Sequence, residues 1–227
     1  MNQENADNSQ ETKKKKALHG VPGNERIAAL SDGVFAIVIT LLVLELTVPQ
    51  VDVADLPQAL FETIPKVLSH IVSFVVLGIY WVGHHNMFQH IQRHDRVLLW
   101  LNILFLLCVA SMPFPTGLIV QYPDQRISVI VYAATLIAGG LALDLIWWYV
   151  TKDHRLVSEK MEKSFVSSVH RRVLVAPAFY GLAIVLAFVN VSLSYLIIVA
   201  MVIYYVVPLN FDSFHHLHIR RHRDEHG

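Results

Sequence analysis

Apolar residues do not alternate along this chain. They come in runs of about 20, broken by short polar stretches, and runs of that length match a bilayer core of about 30 Å crossed at about 1.5 Å per residue. Six such runs predict six membrane helices: Ile27–Val48, closed by Pro49; Pro65–Phe88; Val97–Val120; Ile127–Val150; Val173–Val191; and Leu193–Val207. Pro113 and Pro115 predict a bend near the outer end of the third. The stretch VDVADLPQALFETI between the first two is acidic and partly amphipathic, and predicts a short interfacial helix. The five-residue NVSLS connection makes the last two spans an antiparallel hairpin. TKDHRLVSEKMEKSFVSSVHRR alternates in sign and predicts a helix extending out of the membrane.

Composition agrees with this class. Hydrophobic residues are 54% of the 227 and charged residues 16%, against roughly 25% charged in ordinary globular chains. Residues 1–25 form a polar tail with the basic cluster Lys13–Lys16 and no apolar signal-peptide core, 26–209 the membrane domain, and 210–227 a His/Arg-rich tail. The net charge is zero, but its placement is lopsided. With six spans, 16 of the 18 Lys and Arg residues fall on the side of the termini and only Lys66 and Arg126 on the other. By the positive-inside rule both termini are cytoplasmic, in a cell membrane. The single cysteine, Cys108, excludes an intrachain disulfide and a cysteine metal cluster. No nucleophile–base pair or phosphate loop argues for an enzyme, and no cofactor, metal site or nucleic-acid partner is expected. The histidines of FHHLHIRRHRDEH read as a solvated tail near an anionic leaflet.

The first span, RIAALSDGVFAIVITLLVLEL, carries a carboxylate that lipid should reject. At 100° per residue, with Ile37 as origin, Leu30, Gly33, Thr40, Leu41 and Leu44 fall within roughly 60° of it, and Asp32 at roughly 220°. One face is therefore small or apolar and the carboxylate lies behind it. Trp81 and His84 on the second span are neighbours at i, i+3, and Asn102 lies on the third. A bond from Asp32 to His84 or to the Trp81 indole would staple the first helix to the others; Arg26 snorkels to the interface or joins the same network. Asp32 as an ion site is the competing reading. Glu45 falls at roughly +80° near the outer end, where it either concentrates cations or bonds within the subunit. Asp144, near the inner end of the fourth span, needs a partner or water.

These residues carry a resemblance. RIAALSDGVFAIVITLLVLEL resembles the first helix of bacterial relatives of the lysosomal potassium channel transmembrane protein 175, whose pattern is an arginine, three residues, then phenylalanine-serine-aspartate. Arg26, Ser31 and Asp32 match, and Leu30 stands in the phenylalanine's place. WVGHHNMF, with Trp81, His84 and Phe88, is similar to the family's second helix, and LLWLNILFLLCVASMPFP, with Asn102, to its third. The resemblance implies an all-α homotetramer that conducts potassium ions, with the first helices lining the pore and no carbonyl selectivity filter. It implies constrictions at Ile37, Leu41 and Leu44, with Thr40 as a polar layer, and a structural hydrogen-bond network of Arg26, Ser31, Asp32, Trp81, His84 and Asn102. The alternative from a different class is a proton-coupled carrier or sensor that uses Asp32, His84 and Asp144.

Overall fold

The computed structural model of the chain describes residues 22–207, and the two tails expected at 1–25 and 210–227 lie largely or wholly outside them. The described part is helical: α1 (Pro22–Leu41), continued by a 3-10 helix (Leu42–Glu45); α2 (Leu56–Glu62); α3 (Ile64–Phe88); α4 (Arg96–Ala110); α5 (Pro113–Gln121); α6 (Arg126–Thr151), followed by a 3-10 turn (Lys152–His154); α7 (Lys163–Ala187); and α8 (Val191–Val206). Five stretches among them are long and apolar enough to cross a membrane, and α8 is shorter. Its 16 residues span about 24 Å.

The proline-rich third span is two helices, α4 and α5, parted at Ser111–Met112. Pro113 has no N–H to bond back to the preceding turn. The short helix expected between the first two spans is α2, with Pro57 in its first turn. The sign-alternating segment after the fourth span is not one helix. It begins with a 3-10 turn, pairs Val157 with Ile91 as an isolated antiparallel bridge, and becomes helical only at Lys163. From there α7 runs without a break into the membrane, so the fifth span begins ten residues before its apolar run.

The central element is α6, which packs against α3, α4, α5, α7 and α8. Small residues let its neighbours approach closely. A Cβ at Gly140 would come within 2.8 Å of Pro177 Cγ on α7, and one at Gly139 within 3.3 Å of the Tyr80 ring on α3. Buried Phe35, Leu77, Leu98, Phe105, Tyr132 and Leu136 fill the space among α1, α3, α4 and α6. Toward the end of the bundle nearest the α5–α6 connection, Ser73, Thr116 and Tyr132 satisfy one another, with Ser73 Oγ 3.0 Å from the Tyr132 hydroxyl and 3.1 Å from Thr116 Oγ1.

At the opposite end the α3–α4 and α6–α7 connections are tied together. The Gln92 N–H donates to the Leu156 carbonyl at 2.8 Å. Asp95 caps α4 by accepting from the Leu98 N–H at 2.8 Å, and its other oxygen accepts from the Tyr149 hydroxyl at 2.6 Å. Arg155 donates to that hydroxyl at 2.9 Å. Burial raises the Asp95 carboxyl, but bonds from Tyr149 and from the Leu98 and Val97 N–H groups, with Arg155 nearby, outweigh it and hold the group below its ordinary range. A depressed carboxylate stabilises the fold above its unfolded value, about 4, and that contribution is lost as pH falls through the folded value. Asp95→Ala is therefore expected to cost about 1 kcal/mol at neutral pH, read as a lower thermal midpoint in detergent. The gap from the parent protein should shrink below about pH 4.

Candidate ion pathway along the first helix

One face of α1 and its 3-10 extension is packed and the other is bare. Ile27, Ser31, Phe35, Val38 and Leu42, spaced by three and four residues, are buried against α4 and α3. Leu30, Ile37, Leu41 and Leu44 are exposed, Ile37 at 61% and Leu44 at 70%. Gly33 and Thr40 are exposed on the same side. The stripe obtained from helical angles is therefore the face that the subunit leaves uncovered.

Thr40 has a defined polarity on that face. Its hydroxyl donates to backbone carbonyls of its own helix, at 3.0 Å to Ala36 and 2.8 Å to Ile37. The proton is committed, so the oxygen presents only lone pairs on that face.

The α-helix ends at Leu41, and the next four residues are 3-10. Side chains three apart eclipse in a 3-10 helix. Leu44 consequently stands in line with exposed Leu41, and Glu45 in line with buried Leu42. Glu45 therefore points away from the stripe and into the subunit. Its carboxylate sits on Gly117 of α5 so closely that a Cβ there would lie 2.3 Å from Oε2. Glu45 is half-buried and makes no hydrogen bond or ion pair among the described residues, so the bond expected within the subunit is not formed. His70 on α3 marks the change of helix type, with Nδ1 3.2 Å from the Leu42 carbonyl oxygen. The spacing of His70 gave no sign of this contact, because it depends on a tertiary approach 28 residues along the chain.

Asp32 lies at the flank between the two faces and is exposed. The Trp81 indole N–H donates to its Oδ1 at 2.8 Å, so the indole, not His84, is its partner. His84 is fully packed. Its Nε2 lies 2.8 Å from Asn102 Oδ1, and its ring stacks on Phe88 and Phe105. Asn102 Nδ2 donates to Ser31 Oγ at 3.1 Å, and Ser31 donates in turn to the Ile27 carbonyl at 3.0 Å. Ser31, His84 and Asn102, all buried, thus join α1, α3 and α4 by polar contacts within the apolar core. Arg26 is exposed and makes no hydrogen bond or ion pair among the described residues, so it stands outside that network. Asp144 has a partner that was not foreseen: His170 of α7, with Nδ1 2.7 Å from Oδ1. No group of three or more metal-ligating side chains occurs among the described residues.

Residues 26–113 match the family model described as Endosomal/lysosomal potassium channel TMEM175. A potassium channel of Streptomyces collinus is 36% identical over 177 residues, covering 74% of this chain and 84% of that protein. A potassium channel of Chamaesiphon minutus is 35% identical over 191 residues, covering 82% of this chain and 94% of that protein. The crystal structure of a lysosomal potassium-selective channel TMEM175 homolog from Chamaesiphon minutus superposes with a TM-score of 0.75 at 32% identity, over 84% of this chain and 100% of that one. With the first helix inside the matched family model and most of the length covered by relatives more than 30% identical, the chain belongs to the TMEM175 family.

Proposed function

We propose that this protein is a potassium-selective, leak-like cation channel: a homotetramer in a cell membrane, with four copies of α1 around the conduction axis. The observation that carries the reading is the uncovered face of α1, apolar at Ile37, Leu41 and Leu44 and polar only at Thr40. A single subunit leaves that face to lipid, and lipid does not require the Thr40 oxygen. Around an axis, four Ile37 side chains form a hydrophobic collar that ions cross only when it is wet. Four Thr40 oxygens beside it replace part of the water a cation sheds. The names of the bacterial relatives support potassium as the permeant ion.

In this reading Ser31, His84 and Asn102 hold α1 against α3 and α4, and the Asp32–Trp81 bond holds its flank. The proton-coupled carrier reading has less support. Asp32 and His84 are committed to different partners, and Asp144 pairs with a fourth residue on another helix pair. Liposomes loaded with potassium distinguish the two. A channel dissipates the gradient with the internal pH clamped or free. Flux that stops when proton movement is blocked would remove the channel reading.

Both termini are read as cytoplasmic from the placement of Lys and Arg. A cysteine at Gln10 in a Cys108→Ser background is expected to resist an impermeant thiol reagent in intact cells and to react once the cells are opened. Labelling from outside would reverse the topology.

A further inference from the structure

A pocket of about 490 Å³ opens between the end of α6 and the start of α7, remote in sequence from the α1 stripe. Trp148, Asp153, His154, Lys163, Ser167 and His170 line it. Three of these present hydrogen-bond donors with no acceptor. The Trp148 indole N–H, the Lys163 ammonium and the Ser167 hydroxyl make no hydrogen bond or ion pair among the described residues. The two imidazoles each commit Nδ1, His154 to the Ser158 carbonyl at 3.1 Å and His170 to Asp144 at 2.7 Å, so Nε2 of each is free to donate in the imidazolium form. Lys152 lies over the Trp148 ring, 4.9 Å from its centre. Asp153 is the one carboxylate on the lining, and Asp144 behind His170 is already paired.

The backbone at the rim is held in an unfavourable form. Asp153 and His154 have φ of 53° and 51°. The left-handed region costs a non-glycine residue about 1–2 kcal/mol, and such residues gather at ligand sites more than elsewhere.

An exposed apolar stripe on α6 leads up to the pocket. Leu141, Leu145 and Trp148 follow one another at i, i+4 and i+7 on α6, and are 47%, 38% and 48% exposed. They form an apolar track on one face of the helix that ends at the donor-lined pocket. A free phosphate would use the donors and leave the track bare. A phospholipid uses both.

We infer that the α6–α7 pocket binds the phosphate-bearing headgroup of an anionic phospholipid, with an acyl chain along Leu145 and Leu141. Lys163, Ser167 and the Trp148 indole donate to the phosphate oxygens, and Lys152 adds charge at the rim. The site stands apart from ion conduction and is tested without measuring it.

The full chain, purified in nonionic detergent and stripped of lipid, is titrated with phosphatidylglycerol or phosphatidylcholine, and bound lipid is counted by native mass spectrometry. Phosphatidylglycerol is expected to bind more tightly. Lys163→Gln should weaken it about fivefold, the worth of one lysine at an anionic surface. Trp148→Phe, which keeps a ring and removes the N–H, should weaken it less. Lys160→Gln, a neighbouring charge outside the pocket, should leave it unchanged. Equal binding of the two lipids overturns the site, as does an equal loss in Lys160→Gln and Lys163→Gln. Displacement of phosphatidylglycerol by an equal concentration of glycerol 3-phosphate makes phosphate itself the ligand and overturns the lipid assignment. If Lys163→Gln does not assemble, Trp148→Phe decides, and an unchanged affinity in that variant overturns the site.

Discussion

Replacing Ile37 by asparagine is expected to raise potassium current and to reduce discrimination between potassium and sodium. The two side chains have the same number of heavy atoms, but asparagine is smaller and not β-branched, so the change is both chemical and steric. Ile37 is 61% exposed within the subunit, on the face assigned to the conduction axis. Four amides there would hold water where four sec-butyl groups expel it, and a collar that stays wet no longer makes conduction wait on wetting. Lowering that barrier by about 1.4 kcal/mol raises the rate about tenfold. Selectivity falls in the same variant because an ion that keeps its water is judged less by its dehydration cost. Ile39→Asn is the control. Ile39 is half-buried against the core, so this variant should lower the yield of assembled protein and leave conduction per channel unchanged. Both are read in planar bilayers under bi-ionic potassium and sodium. Unaltered conductance and reversal potential in assembled Ile37→Asn would take Ile37 out of the pathway.

The second large effect is expected at Asn102. Its two amide atoms serve His84 and Ser31, all three side chains are buried, and they lie on three different helices. Asn102→Leu keeps the branched shape and heavy-atom count at a larger volume, but leaves the imidazole nitrogen without its closest partner and removes a donor from the serine. A buried polar group left unsatisfied costs about 1–3 kcal/mol, and that cost falls on His84, since Ser31 keeps its bond to the Ile27 carbonyl. The loss falls on the contact of α1 with its own subunit, so the thermal midpoint and the tetramer fraction in detergent should drop together. Asp32→Ala gives the contrast. Asp32 and Trp81 are both exposed at the flank, so that bond is worth about 1 kcal/mol, and the variant should assemble with modestly reduced stability. If Asp32→Ala assembles normally and its potassium-to-sodium ratio changes, Asp32 meets the ion and is not simply a brace. If Asn102→Leu is as stable as the parent, the buried contacts are not what seats α1.

Helix positions were readable because lipid imposes one rule on every span, an apolar run of fixed length. Charges at the run ends then supply the expected orientation. The bare and packed faces of α1 followed from angle alone, because an unbroken α-helix makes angle a function of residue number. The same arithmetic failed at Leu42. Nothing in LLVLEL signals a change to 3-10 winding, since no glycine or proline intervenes; His70 and Gly117, far along the chain, are what the altered segment meets. The partner choices were ambiguous for a related reason. Trp81 and His84 share a face and either reaches α1 by spacing, so only the packed depth of each decides that the indole takes Asp32 and the imidazole takes Asn102. His170 was invisible as the partner of Asp144 because the α7 helix starts among charged residues that read as solvent-exposed.

The 3-10 winding that follows α1 makes the placement of Leu44 a matter of pitch. Rewinding the three residues after Leu41 as α-helix would draw Leu44 inward along the axis by about 1.5 Å and turn it by roughly 60°. Glu45 would turn with it, off Gly117 and toward the bare face. In the proposed tetramer, a leucine ring built on such a segment would change aperture as a threaded collar does, by twist and advance together, while the α-helical part bearing Ile37 would keep its place. The His70 contact at Leu42 sits where that thread begins.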